Sequence, residues 1–173
     1  MRKLLTGIMV LTAVAAGCGR APEEASQTTM PPPDAFASER PPGTPTPISE
    51  ARALTPGTEV VLQGRVMGVQ NPFVAGRAVF VLGDEAIIAA CSDHCSTPWD
   101  ACCDPVEIRI KGTVTIQLID EDGKVLSQGL KGVNGLKELS RVTVTGKVAP
   151  TSSASAFIVN ADILYVEPGN PTP

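Results

Sequence analysis

The chain of 173 residues is long enough for one domain of ordinary size. It contains 14 Lys and Arg against 18 Asp and Glu, a formal net charge of −4, and only 3% aromatic residues. Nucleic-acid binding depends on cations that neutralise phosphates and on rings that stack on bases, so this composition argues against a nucleic-acid partner.

The N-terminus has the organisation of a secretory signal. Arg2 and Lys3 precede an apolar run over residues 4–16, which ends in the small-residue sequence Ala-Ala-Gly-Cys at residues 15–18. The apolar run is shorter than the roughly 20 residues that a membrane-spanning helix needs. We therefore predict that residues 1–17 are a signal peptide.

The sequence Ala-Ala-Gly-Cys also resembles the bacterial lipobox. In that family the cysteine, here Cys18, is acylated and becomes the mature N-terminus. The resemblance implies that acyl chains hold the protein on a membrane, because each buried methylene contributes about 0.8 kcal/mol. By the same resemblance, Gly19 after the cysteine favours the outer membrane. We expect a lipid-anchored protein of the bacterial cell envelope, on the outer membrane or facing the periplasm.

Residues 18–47 are predicted to be a lipidated N-terminus followed by a disordered linker. The segment is rich in Pro, Ser, Thr and Glu and poor in large apolar residues. Such a composition cannot offset its ordering entropy by burial, and the prolines keep it extended. We interpret it as a spacer between lipid and domain; a ligand for a proline-recognising domain is the alternative.

The folded part is predicted to start with a short helix near Ser49 and then a strand with alternating apolar residues. Its inward positions are Val60, Leu62, Gly64 and Val66. The same pattern returns over residues 142–148, with Gly146 at the third inward position. Glycine at such a position suits a strand that bends sharply, so the two strands predict a small, strongly coiled barrel.

Apolar runs and turn residues place the remaining elements. Further strands are predicted over residues 78–82, 106–118 and 156–166, with a short apolar run at 87–90. An extra hairpin turns at residues 121–123 and returns over 125–130, one helical turn or a loop covers 132–140, and a disordered tail covers 167–173. The pattern predicts an all-β domain.

Several of these segments resemble bacterial extracytoplasmic OB-fold domains. The resemblance lies in Ile-Ser-Glu-Ala-Arg-Ala from residue 48, Gly-Thr-Glu-Val from 57, Val-x-Leu-x-Gly-x-Val from 60 and Phe-Val-Leu-Gly-Asp from 80. It implies a five-stranded OB-like barrel over residues 48–166, in which the two glycine-bearing strands are the first and fourth and lie side by side. The cysteine-rich loop and the extra hairpin are additions to that family's pattern.

The loop at residues 91–105 concentrates the reactive side chains of the domain. It holds four cysteines, the chain's only histidine, His94, and its only tryptophan, Trp99. In an oxidising compartment, an even number of cysteines predicts disulfides, which lower the entropic cost of ordering a long loop. We expect Cys91 and Cys95 each to pair with one of Cys102 and Cys103, because a bond between adjacent cysteines strains the backbone. The pairing itself stays open.

A metal site is the alternative interpretation of the same loop. Thiolates and an imidazole form tetrahedral zinc sites and also bind copper(I). The candidate set is Cys91, His94, Cys95 and Cys102, with Cys103 able to replace Cys102. Adjacent side chains of an extended chain point to opposite sides, so we do not expect Cys102 and Cys103 to reach one ion together. The Cys-x-x-x-Cys spacing is similar to that of the copper-chaperone family serving cytochrome oxidase.

Thiol redox exchange is a third interpretation of the loop, although no Cys-x-x-Cys is present.

Four side chains are candidates for contact with a partner: Trp99, Arg65, Phe73 and Arg77. Trp99 can anchor a partner or pack over its own loop. Arg65, Arg77 and Phe73 are placed by the OB-like resemblance on the outer face of the barrel, where solvated positions explain them equally well.

No catalytic motif is present, and a single histidine limits acid–base chemistry. We therefore expect no enzyme activity and no cofactor. The expected function is a lipid-anchored binding or scaffold module of the cell envelope, in contact with the membrane and with an envelope protein partner. The alternative is a protein that handles zinc or copper, or exchanges disulfides, through the loop from Cys91 to Cys103.

Overall fold

The computed structural model describes residues 35–91 and 95–169. The predicted signal peptide, Cys18 and His94 lie outside the described residues. Residues 35–47 belong to the segment that composition assigns to the spacer, and they lie against the barrel. Ala35 is buried and Phe36 forms a parallel bridge with Leu164, so packing begins before Ile48.

Five strands form a closed barrel in the order β1-β2-β3-β5-β4. They are β1 (Glu59–Val66), β2 (Val79–Gly83), β3 (Thr113–Gln117), β4 (Arg141–Val148) and β5 (Ile158–Val166). All neighbours are antiparallel except β3 and β5, which are parallel. The prediction of a small all-β, OB-like barrel is confirmed, and the first and fourth strands are neighbours as expected.

Two short helices accompany the strands, α1 (Ile48–Ala51) and α2 (Val106–Gly112), with single 3-10 turns at Pro98–Asp100 and Val133–Gly135. A tight turn at Gly123 forms the expected extra hairpin, with a bridge between Ile119 and Val125. Within the described ranges, neither helix has the length and apolar character needed to cross a bilayer.

The predicted strand over residues 106–118 is wrong in its first half. β2 ends at Gly83, which pairs with Thr113, so the residues before Thr113 have no neighbouring strand to pair with. Pro105 at the start, an acidic residue in the first turn and two basic residues in the last turn favour a helix there. As a result, Val106, Ile108 and Ile110 remain 52%, 37% and 41% exposed.

The two strand glycines lie where a third strand comes close. β1 and β4 pair with Gly64 opposite Val142 and Val60 opposite Gly146. A Cβ on Gly64 would lie 2.3 Å from the carbonyl oxygen of Gly83, and one on Gly146 would lie 2.2 Å from that of Asn160. These contacts are with backbone atoms of β2 and β5, which cannot rotate away. The glycines therefore permit the close strand packing that closes the barrel.

Apolar side chains from all five strands and from α1 fill the barrel, with Leu62, Phe80, Ile116, Val144 and Leu164 at its centre. A second, smaller cluster lies beyond the end of β1. It consists of Met67, Ile88, Ala101 and Leu139, against which Trp99 packs. This smaller cluster supports the cysteine-rich loop.

We predict that Gly64→Ala and Gly146→Ala each lower the free energy of unfolding by roughly 1–3 kcal/mol, because the added methyl forces apart backbones already in contact. Urea or thermal unfolding measures the loss. Gly129→Ala is the matched control, since its Cβ would meet Gly76 N only at 3.8 Å. Wild-type stability in the Gly64 variant would contradict this account of closure.

Candidate functional site

Two hydrogen bonds attach the cysteine-rich loop to the segment after β1, and a third lies within the loop. Gly68 N donates to Trp99 O over 2.7 Å, and Cys91 N donates to Pro98 O over 2.7 Å. The indole Nε1 of Trp99 donates to Gln70 O over 2.9 Å. The first and third bonds join the loop to the segment after β1, whereas the second joins Cys91, at the start of the loop, to Pro98 near its middle. The backbone of Cys91 is therefore held in place.

Three thiols converge at this point of the loop. Cys91 Sγ lies 3.8 Å from Cys102 Sγ and 3.8 Å from Cys103 Sγ. All three sulfur atoms lie within 4.8 Å of one another. Cys91 is half-buried, whereas Cys102 and Cys103 are exposed. We call these three residues the thiol cluster.

The expectation that adjacent Cys102 and Cys103 point to opposite sides is wrong. The chain is not extended there, since Ala101 adopts a left-handed conformation with φ 52°. Asp104 N donates to Ala101 O over 3.1 Å and closes a turn around both cysteines. Ala101 is fully buried in the smaller apolar cluster, which fixes the start of the turn. The turn brings both sulfurs to the same side as Cys91.

The predicted disulfides remain a prediction. A disulfide has an S–S distance of about 2.05 Å, whereas the sulfurs of the thiol cluster are 3.8 Å apart and the four described cysteines are free. Cys91 is adjacent to both of its expected partners. Cys95 lies outside the cluster, with its Sγ 3.9 Å from Thr97 Oγ1.

The three thiols differ in their affinity for protons. Burial raises the pKa of Cys91, but hydrogen bonds with the backbone and thiol of Cys103, and then with Cys102, outweigh it and the net shift is downward. The hydrogen bond with Cys91 raises the pKa of Cys102 to about 12 and also raises the pKa of Cys103. Cys91 is therefore the first of the three thiols to lose its proton, because a second thiolate beside it would be repelled; a cation among the sulfurs would remove that repulsion.

The ligand set suggested by the structure differs from the predicted one. Cys91 and Cys102 belong to both sets, and Cys103 joins them in place of Cys95. His94 lies outside the described residues, so its part in the predicted set stays a prediction. In the part of the chain that the structure describes, the thiol cluster is the one group of three metal-ligand side chains that converges.

The four candidate partner-binding residues are not gathered on one surface. Phe73 packs on Phe80 with ring centroids 6.2 Å apart, and it lines a cleft with Leu130. Arg77 is exposed and lines a separate groove with Asp120. Trp99 packs against the smaller apolar cluster, most of whose residues lie outside the cysteine-rich loop.

Arg65 is engaged in an ion-pair network on the outside of the barrel. Its Nε lies 2.5 Å from Glu85 Oε1, and Arg141 holds the same carboxylate through Nε and Nη2, each at 2.9 Å. Arg65 is opposite both Gly83 of β2 and Arg141 of β4. The network therefore links β1, β4 and the segment just after β2, at the position where the pairing of β1 with β2 begins. This ion pairing explains the position of Arg65 without a bound ligand.

Comparison of the chain with protein-family models, with curated proteins and with solved structures finds no significant match.

We predict a pH-dependent loss of stability in Glu85→Gln. Burial raises the pKa of Glu85, but the hydrogen bond from Arg141 and the charges of Arg65 and Arg141 lower it on balance. The carboxylate therefore stabilises the fold above about pH 4, its ordinary range, and this contribution disappears as pH falls through the lowered value. Near neutral pH the variant should lose up to about 1 kcal/mol, since the pair is partly solvated.

Urea unfolding of wild type and variant across pH 2–7 measures this difference, which should shrink toward the acid end. Glu121→Gln, at the exposed hairpin turn, is the control and should match wild type at every pH. A stability difference that stays constant with pH would show that the charge of Glu85 is not what stabilises this junction.

Proposed function

We propose that this protein is a lipid-anchored metal-handling protein of the cell envelope, which binds one thiophilic ion, zinc or copper(I), through Cys91, Cys102 and Cys103. The observation that carries the proposal is the convergence of three sulfur atoms within 4.8 Å of one another. Thiolates are the ligands that copper(I) and zinc prefer among protein side chains. The proposal includes no catalytic step.

The sulfur separations suit a metal centre. Zinc–sulfur bonds are about 2.3 Å long, so two sulfurs of a tetrahedral site are separated by about 3.8 Å. Cys91 Sγ lies at 3.8 Å from each of the other two sulfurs. Three corners of a tetrahedron are then supplied by the thiol cluster, and among the described residues no fourth ligand side chain joins them.

The exposure of the cluster favours exchange of the ion over a permanent structural role. Structural zinc sites are closed by four protein ligands, whereas an open position marks sites where a ligand or substrate enters. Cys102 and Cys103 are exposed on a turn, while Cys91 is half-buried and has its backbone tied to Pro98. An ion held here is accessible to a partner that donates or receives it.

The OB-like barrel serves as the scaffold in this proposal. Trp99 and Ala101 pack into the smaller apolar cluster, which lies directly after β1. The acyl chains on Cys18 would keep the barrel at the membrane, with the part of the Pro-rich segment before Ala35 as spacer; this part of the proposal is supported by the sequence alone.

A binding or scaffold module for an envelope protein partner is the second candidate. A cleft between the β1–β2 loop and the β3–β4 connection favours it, since Phe73, Val74 and Leu130 line its apolar side and Lys131 and Glu138 its rim. Metal stoichiometry separates the two candidates, because a scaffold that uses this cleft does not require an ion.

We predict that the reduced full chain in detergent binds one zinc or copper(I) ion under anaerobic conditions. Cys91→Ser, Cys102→Ser and Cys103→Ser should each weaken binding at least ~10-fold, because each removes a direct ligand. Isothermal titration or competition with a chromogenic chelator measures the affinity.

Cys95→Ser is the matched control, since Cys95 lies in the same loop but outside the cluster, and its affinity should equal that of wild type. Absence of stoichiometric binding in the reduced chain would refute the metal function. Loss of binding in Cys95→Ser alone would show that another ligand set operates.

We predict that Cys18→Ser yields an unprocessed precursor or a soluble protein, because the acylated cysteine is absent. Cell fractionation with detergent-phase partitioning, and the mass of the exported chain, measure the outcome. Normal processing with retention in the membrane fraction would contradict the lipid anchor.

A further inference from the structure

We infer that the thiol cluster is also a thiol–disulfide exchange site, in which Cys91 is one shared sulfur that forms a disulfide with either Cys102 or Cys103. The consequence for metal binding rests on the proposed function: formation of either bridge removes two of the three ligands, so oxidation and metal occupancy exclude each other.

The distances support two alternative bridges rather than one. Cys91 Sγ is equally far, 3.8 Å, from the sulfurs of Cys102 and Cys103. A bridge needs about 2.05 Å, which a small rotation of an exposed side chain provides. A bond between Cys102 and Cys103 would instead have to strain the peptide between adjacent residues. Cys91 is therefore the common partner.

The cluster is open to a soluble disulfide and keeps its sulfurs together during the exchange. Cys102 and Cys103 lie exposed on the turn closed by Asp104, where a soluble disulfide has access. Cys91 is half-buried and its amide donates to the carbonyl of Pro98, so it stays beside both of them. A sulfur that has reacted with the oxidant therefore has its partner sulfur close by for the second step.

The reaction needs a disulfide as oxidant, for instance oxidised glutathione. One cysteine thiolate of the cluster attacks one sulfur of the oxidant, breaks its S–S bond, and releases the first thiol, so that a mixed disulfide forms. A neighbouring thiolate of the cluster then attacks the cysteine sulfur of the mixed disulfide and releases the second thiol, which leaves Cys91 bridged to Cys102 or to Cys103. Two electrons and two protons pass from the protein to the oxidant, which leaves as two thiols, and one protein disulfide forms.

The sequence around the cluster allows each bridge to be mapped. Cleavage on the amino side of Asp84, Asp93, Asp100 and Asp104 places Cys91, Cys95 and the adjacent pair of cysteines on three different peptides. Cys91 lies on 84–92, Cys95 on 93–99, and the adjacent pair on 100–103. A Cys91 bridge links 84–92 to 100–103, a Cys95 bridge links 93–99 to 100–103, and a vicinal bridge makes 100–103 lighter by about two hydrogens without a link.

The experiment treats the reduced, zinc-loaded full chain with oxidised glutathione, follows zinc release with a chromogenic chelator, and maps the unreduced digest by mass spectrometry. We expect stoichiometric zinc release together with the link between 84–92 and 100–103. Cys102→Ser and Cys103→Ser should each keep that link, because Cys91 retains one partner. Cys91→Ser should lose it, and Cys95→Ser should keep it.

A zinc-binding chain in which 84–92 is not linked, or in which the vicinal or the Cys95 bridge forms instead, would overturn the inference and leave the proposed function standing. A linked chain that retains its zinc would overturn the mutual exclusion. A chain that forms the link but binds neither zinc nor copper(I) when reduced would overturn the proposed metal function, and the exchange site would remain.

Discussion

β1 pairs with β4 along most of its length and with β2 at its end, and the change of partner takes place at Gly64 and Arg65. The barrel can close there because the two faces of β1 differ: the inner face must leave space for β2, and the outer face must hold the strands together. On the inside, Gly64 has no Cβ, which would otherwise lie 2.3 Å from the carbonyl oxygen of Gly83. On the outside, the side chain of Arg65 shares Glu85 with Arg141 and fastens the same three strands.

The position of the thiol cluster follows from this closure. After Val66 the chain leaves the barrel through Met67 and Gly68, and Gly68 N holds the carbonyl of Trp99. Met67 packs with Ala101, whose buried left-handed conformation starts the turn that carries Cys102 and Cys103. A loop without a regular strand or a long helix is thereby held with defined geometry. The sulfurs of the thiol cluster lie at or near the surface, but their arrangement depends on the apolar residues beneath them.

In the function that we propose, the metal-bound and the disulfide-bridged forms of the loop would be two states of one arrangement. A separation of 3.8 Å is suitable for sulfurs that share an ion and is short enough for either pair to form a bridge. Because the same sulfurs would serve both purposes, the redox poise of the compartment and the supply of metal would decide which state is occupied. Thiol exchange requires an accessible sulfur, and the exposure of Cys102 and Cys103 provides it.

Much of the fold was readable from the sequence, because strand alternation and glycine placement are local signals. The inward positions of β1 are buried as the alternation predicts, and the glycine-bearing strands are neighbours. The same alternation failed over residues 106–112. A strand also requires a neighbour to pair with, and β2 ends at Gly83 before those residues could find one. Pairing across the sheet is a tertiary condition that no local pattern contains.

For the candidate site, the sequence alone determined that four cysteines share one loop, and so which residue types were available for thiol chemistry. Only the tertiary structure decided which of them meet. The direction of adjacent side chains depends on the backbone conformation at Ala101, and that conformation is set by burial against Met67 and Ile88 from distant parts of the chain. Cys103 therefore joins Cys91 and Cys102, while Cys95, only four residues from Cys91, remains outside the cluster.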